Sequence, residues 1–147
     1  MEILEKLSAD IKQSMKNKDA FRLGVLRMMK TDAKNKEIEL RQPLSDADFL
    51  TVVTKMVRQR KDSIEQYQKA ERVDLADKEK QEIEILNEFL PQPLSEEEVV
   101  SIIQAAIEKT GASDMKQMGL IMKEVKDQTT GRVDGKLLAD KVKAALA

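Results

Sequence analysis

The chain has 147 residues, 41% of them hydrophobic and 36% charged, with a formal net charge of −1. That length holds one domain or two small ones with modest cores, and the apolar content is that of a folded chain rather than a disordered one. It contains no histidine and no cysteine, which excludes disulfides, thiolate nucleophiles, thiolate or imidazole metal ligands, and any side chain whose ordinary pKa lies near neutrality.

Other classes are disfavoured by pattern. No stretch approaches the roughly 20 apolar residues of a membrane span, and Met1-Glu2-Ile3-Leu4-Glu5 has neither a basic n-region nor an apolar h-region. A cytoplasmic protein without a membrane partner is therefore expected. The five glycines form no GxGxxG and no P-loop, so no nucleotide cofactor and no metal are expected. Catalysis by lysine or carboxylate would need a buried cleft to shift those pKa values, and the charged residues fall mostly on periodic outward positions. No catalytic residue is assigned.

Ile3, Leu4, Leu7, Ile11 and Met15 recur at helical spacing and predict a first amphipathic helix ending near Asn17. Asp19 is a good N-cap for a second, long helix with Leu23, Leu26, Ala33, Ile38 and Leu40 on its apolar side, broken by Pro43. Ser45 with Asp48 has capping-box spacing and opens a third helix, whose inward stripe is Phe49, Val52, Val53, Met56, Val57, Ile64 and Tyr67. Lys55, Arg58, Arg60 and Lys61 are expected on its charged side. After a loop at Glu71 to Asp74, a fourth helix carries Leu75, Ile83, Leu86 and Phe89 inward and runs to Leu90, where Pro91 stops it.

Ser95 with Glu98 is a second capping box, and Glu96 to Glu98 place negative charge at a helix start. Val99, Ile102, Ile103, Ala106 and Ile107 form that fifth helix, closed by Thr110-Gly111 with the glycine in a left-handed cap. Ser113 is expected to cap a sixth helix bearing Met115, Met118, Ile121, Met122 and Val125. Gly131-Arg132-Val133-Asp134-Gly135 is the turn into a last helix of Leu137, Leu138, Val142 and Leu146. The expected fold is all-α: a four-helix N-terminal bundle over 1–92 and a small three-helix domain over 93–147, joined through Leu90 to Leu94. The eight methionines are read as core filling.

Three motifs carry a family resemblance: Lys34-Asn35-Lys36-Glu37-Ile38-Glu39-Leu40-Arg41; the Ile85-Leu86-Asn87-Glu88-Phe89-Leu90-Pro91 run followed by Leu94-Ser95-Glu96-Glu97-Glu98; and Thr110-Gly111-Ala112-Ser113 through Met118-Gly119 to Gly131-Arg132-Val133-Asp134-Gly135-Lys136. In this order and spacing they resemble the YqeY proteins, small bacterial chains related to the tail of the B subunit of the glutamine-dependent tRNA amidotransferase. The resemblance spans essentially the whole chain. It departs from the usual pattern at Lys123, where a small glycine is common, and at Asp127, where proline is common.

Charge is uneven. Residues 1–69 hold 15 Lys and Arg against 11 Asp and Glu, a balance of +4; residues 70–98 stand at −7 and residues 99–147 at +2. Lys123, Lys126, Gly131, Arg132, Gly135 and Lys136 form the candidate phosphate-contacting surface, with backbone N–H groups at a helix start beside the cations. Arg22, Arg27, Lys30, Lys34, Arg41, Lys55 and Arg58 form a secondary basic patch. Aromatic residues are 3%, so stacking on single-stranded bases is disfavoured and contact with the backbone of a folded RNA is retained.

The resemblance implies an accessory tRNA-binding protein, associated with carbon–nitrogen ligase chemistry through an aminoacyl-tRNA-related complex but lacking the amidase and kinase-like parts of that enzyme. The alternative is a protein-interaction module docking through its helical N-terminal unit, with the acidic Glu71 to Glu98 segment as its contact.

Overall fold

The computed structural model describes residues 2–147, and among these there are seven α-helices, one short 3-10 turn and no strand. The helices are α1 (Glu2–Lys16), α2 (Ala20–Leu40), α3 (Asp46–Lys69), α4 (Val73–Asn87), α5 (Glu96–Thr110), α6 (Met118–Thr129) and α7 (Gly135–Leu146). The chain divides into two compact units, one ending at Leu90 and the other running Pro91–Ala147.

The caps follow local chemistry. Ser45 Oγ accepts from Asp48 N at 3.1 Å while Asp48 Oδ2 accepts from Ser45 N at 3.2 Å, and Ser95 with Glu98 repeats the arrangement at 3.1 and 3.2 Å. Each box satisfies two N–H groups that a helix start leaves unpaired. Asp19 Oδ1 accepts from Arg22 N at 3.1 Å. Gly111 takes the left-handed conformation at φ 72° and donates to Ile107 O, because a residue without Cβ enters that region at little cost. The first unit turns its corners differently: Lys18, Arg41 and Glu71 have φ of 56°, 55° and 57°, left-handed conformations held by non-glycine residues at its three helix connections.

The first unit closes around Leu7, Leu26, Met29, Phe49, Val53, Met56 and Leu86, all nearly inaccessible. Three sequence expectations are corrected here. Met15 and Ile38 are 53% and 66% exposed, because helical phase turns each away from the core; Ser14 is buried beside Met15, and Leu40 packs on the core two residues after Ile38. α4 ends at Asn87, not Leu90: Glu88, Phe89 and Leu90 donate to the carbonyls three residues back, the tightened turn common at a helix end. Phe89 still reaches the core. Arg60, expected on the charged side, has a side chain only 12% exposed that donates from Nε to Glu82 Oε2 at 2.9 Å and from Nη1 to Met56 O.

Lys6 and Arg22 hold the end of α4. Lys6 Nζ donates to Glu88 O at 2.9 Å and lies 4.7 Å from the Phe89 ring centre. Arg22 donates to both Glu88 carboxylate oxygens, at 2.6 and 3.2 Å, and reaches Asp10 at 3.4 Å. The Ile-Leu-Asn-Glu-Phe-Leu motif therefore serves the first unit directly, through two buried aliphatics, one aromatic and one anchored carboxylate.

The second unit packs Val99, Ile103, Ala106, Ile121, Val125, Leu138, Val142 and Leu146 into its own core. Its sixth helix starts later than expected. Asp114, not Ser113, caps the turn, accepting from Lys116 N at 2.9 Å, while Ser113 N donates to Gln117 Oε1 at 2.7 Å. Residues Met115–Gln117 form the 3-10 turn, Met115 is 45% exposed there, and α6 proper begins at Met118. An Asp capping two residues on satisfies the tight turn first.

Gly24 lies inside α2 with open space where a Cβ would stand. Gly24→Ala is expected to stabilise the protein by roughly 0.5–1 kcal/mol, by reducing the freedom of the unfolded chain; an unchanged or lower denaturation midpoint would contradict this.

Candidate nucleic-acid interface

The turn between α6 and α7 is fixed by its own backbone and by Arg132. Gly131 is buried and has φ of 76°, so it is the position of this turn that requires glycine. Arg132 N donates to Thr129 O at 2.9 Å, and Arg132 O accepts from Leu94 N at 2.8 Å. The guanidinium donates from Nε to Gln92 O at 3.0 Å and from Nη1 to Gln128 O at 3.4 Å. Gln92 and Leu94, just before α5, are thus tied to the start of the α6–α7 turn within the second unit. Arginine suits this place because its planar fork can meet two carbonyls from one side.

Around that turn the expected cations are distributed as follows. Lys126 and Lys123 are exposed one and two turns before the end of α6, and Lys136 is exposed at the second position of α7. Elsewhere in this unit lysines find carboxylates, Lys109 with Glu124 at 2.6 Å and Lys141 with Glu96 at 3.7 Å. Among the described residues, Lys123, Lys126 and Lys136 make no ion pair. Gly135 has neither positive φ nor crowding where a Cβ would stand, so the fold itself does not demand glycine there. Asp134 occupies the N-cap position of α7 and its carbonyl accepts from Leu138 N at 3.0 Å; its carboxylate makes this helix start less attractive to an anion than a bare one.

The secondary patch separates into parts. Arg22 is engaged by Asp10 and Glu88. The guanidinium–Glu88 hydrogen bond raises the Arg22 pKa, against the opposing effect of burial. Arg27, Lys30 and Lys34 are exposed along α2, and Arg41 is exposed at its C-cap. Lys55 lies on another side, in a groove of about 310 Å³ between α2 and α3, with Asp32, Asn35, Lys36 and Glu39 on one wall and Thr51 and Gln59 on the other, floored by Val52 and Met56. Arg58 is half-buried on α3. The motif from Lys34 to Arg41 thus divides: Asn35, Lys36 and Glu39 line the groove, Lys34 and Ile38 lie outside it, and Arg41 is the left-handed C-cap.

The Arg60–Glu82 pair escaped the sequence reading, although its signal was present. Arg60 stands one turn after Met56, and Glu82 one turn before Ile85 and Leu86, so both sit on apolar stripes where an unpartnered charge would be costly. Among the described residues no group of three or more Asp and Glu could hold a metal ion, and no helix is long and apolar enough to cross a membrane.

The fold and these surfaces define a class: an all-helical protein of two small units, displaying cations on helices and beside a hydrogen-bonded turn. The family model for YqeY-like proteins matches residues 4–146, and the chain belongs to that family. It is similar to the protein named altered inheritance of mitochondria protein 41, mitochondrial, from three yeasts. With that of Kluyveromyces lactis it is 32% identical over 145 residues, 96% of this chain and 74% of the relative. With that of Vanderwaltozyma polyspora it is 35% identical over 120 residues, 76% and 64%. With that of Candida glabrata it is 36% identical over 99 residues, 65% and 54%. The matches thus span about half to three quarters of these relatives' lengths.

Those names overturn the cytoplasmic expectation, since the relatives are called mitochondrial. The expectation rested on a missing export signal and missing cysteines. Neither separates the cytoplasm from another compartment that is reached without such a signal and keeps thiols reduced.

Proposed function

We propose that this chain is an accessory tRNA-binding protein with no catalytic centre of its own, in keeping with the resemblance of its second unit to the tail of the amidotransferase B subunit. The observation that supports it most is the set of exposed, unpaired lysines, Lys123, Lys126 and Lys136, around a turn held by four hydrogen bonds. Exposed cations that make no ion pair, around a hydrogen-bonded turn, suit phosphate oxygens, which supply most sequence-independent affinity for nucleic acid. Arg132 acts as a positioning residue in this reading, since its donors face backbone carbonyls, and Gly131 shapes the turn that it fixes.

The test is tRNA binding over a salt series. Lys123→Glu/Lys126→Glu/Lys136→Glu is expected to lower the slope of log affinity against log salt by about 2–3 units, one contact per lysine. Wild-type protein showing no salt-sensitive binding to tRNA would sink the proposal. A protein partner captured equally well with and without nuclease, and with the triple variant, would favour the interaction-module reading instead.

A further inference from the structure

The groove between α2 and α3 holds polar groups that neither the fold nor the tRNA reading uses. Asp32, Asn35, Lys36 and Glu39 recur at one-turn spacing on α2, and Thr51, Lys55 and Gln59 do so on α3, so each set forms one wall. Val52 and Met56 are the floor, and both are buried in the core of the first unit. Three of the polar side chains are satisfied within the protein: Lys36 pairs with Glu39 at 3.3 Å, and Thr51 Oγ1 donates to Ala47 O at 3.1 Å. The other four, Asp32, Asn35, Lys55 and Gln59, are exposed and, among the described residues, make neither a hydrogen bond nor an ion pair through their side chains. The groove thus offers one free carboxylate, one free ammonium and two free amides above an apolar floor. Asn35, Lys36 and Glu39 belong to the Lys34 to Arg41 motif, and none of them serves the core.

We propose that this groove binds a free amino acid, with Lys55 on its carboxylate and Asp32 on its ammonium. A ligand seated there strips water from both charges, and each then needs an opposite partner. A phosphate or polyanion would satisfy Lys55 and meet Asp32 and Glu39; an amine or polyamine would satisfy Asp32 and meet Lys36 and Lys55; a neutral ligand would satisfy neither. A zwitterion satisfies both. The lining has no aromatic face to hold a quaternary ammonium, whereas a primary ammonium brings N–H donors for Asp32 and for the side-chain carbonyl oxygens of Asn35 and Gln59. At about 310 Å³ the groove lies at the lower end of small-molecule sites, which run from roughly 300 to 1,000 Å³, so it suits a single amino acid rather than a longer chain. Val52 and Met56 receive the carbon stem of that ligand. The inference goes beyond the tRNA reading: it assigns a site in the first unit and requires no contact by the α6–α7 turn.

The probes are the standard free amino acids, each titrated singly against the full chain while its amide resonances are followed by NMR. The side-chain amide signals of Asn35 and Gln59 report on the groove directly. At least one amino acid is expected to shift them saturably, together with backbone amides in Asp32 to Glu39 and Thr51 to Gln59. For that amino acid, Asp32→Asn and Lys55→Met are each expected to weaken binding roughly tenfold or more, with an unchanged melting temperature because both side chains are exposed. Lys12→Met on α1 is expected to bind as wild type does. The decarboxylated amine of the same amino acid should bind more weakly to wild type and at least as well to Lys55→Met. Its N-acetyl derivative should likewise bind more weakly to wild type and at least as well to Asp32→Asn. No saturable shift with any amino acid would overturn the proposal and make the groove a solvated surface. Either single variant binding as tightly as wild type would overturn it too, as would inorganic phosphate or the amine shifting the same signals at lower concentration than the amino acid. None of these outcomes bears on tRNA binding, so the two readings fail separately.

Discussion

Arg60→Ala is expected to destabilise the first unit by about 3–5 kcal/mol, because it leaves Glu82 buried without its cation. The two side chains are 12% and 11% exposed, joined at 2.9 Å, and Arg60 also serves Met56 O and approaches Met28 Sδ at 3.6 Å. Arg60→Met/Glu82→Leu removes both charges and fills similar volume, so it is expected to recover most of that loss. The chain has one tyrosine and no tryptophan, and Tyr67 lies in α3; tyrosine fluorescence during urea unfolding therefore reports on this unit. A pH signature accompanies the effect. Burial raises the Glu79 pKa, the Glu82 carboxylate adds to the rise, and Arg60 opposes it. A carboxyl raised on folding contributes stability below its unfolded pKa and loses it as pH climbs through the folded value. Without Arg60 the Glu79 pKa rises further, so the deficit of Arg60→Ala is expected to be largest at neutral pH and to shrink as the solution is acidified through the glutamate range. A deficit independent of pH, or a double variant as unstable as the single one, would show that packing rather than charge explains the loss.

What was legible in the sequence were features decided within a few residues. Ser45 with Asp48 and Ser95 with Glu98 announce helix starts because the two partners of each box lie three residues apart, and Gly111 announces a helix end because the left-handed cap is a local event. Helix ends governed by competition between neighbours were harder. Ser113 and Asp114 can both cap, and the 3-10 turn at Met115 was decided by which carboxylate or hydroxyl met an N–H first. α4 was expected to run to Leu90 and stop at Pro91, yet it gives way to a tightened turn after Asn87. Periodicity found the stripes but not every member: Met15 and Ile38 fall out of phase with the buried positions of their helices.

The candidate sites show the same division. Lys123, Lys126, Lys136 and the exposed cations Arg27, Lys30 and Lys34 of α2 could be named from sequence because exposure follows from helical phase. Arg60 and Arg132 could not be understood that way, since their partners stand 22 and 40 residues away at Glu82 and Gln92. From sequence, a guanidinium in a motif offers no sign of a carbonyl that the fold sets opposite it from 40 residues away.

Arg132→Ala is accordingly expected to act first on the second unit and only through it on RNA. The guanidinium donates to Gln92 O and Gln128 O, and hydrogen bonds from a charged donor contribute about 1.5–3 kcal/mol when geometry is good. The Gln92 bond at 3.0 Å carries most of this, the Gln128 bond at 3.4 Å little. Losing them should free the segment before α5, whose Leu94 N–H donates to Arg132 O at 2.8 Å, and speed hydrogen exchange at that amide roughly ten- to hundredfold. Arg132→Lys keeps the charge without the fork and is expected to show most of the same acceleration. Arg132→Glu, which sets a carboxylate against two carbonyl oxygens, should be the most severe of the three. For tRNA, a positioning role predicts weaker binding by Arg132→Ala with an unchanged salt slope, since the phosphate contacts of Lys123, Lys126 and Lys136 are loosened rather than removed. A slope lower by about one unit, with Leu94 exchange unaltered and recovery in Arg132→Lys, would instead make Arg132 a phosphate ligand in its own right.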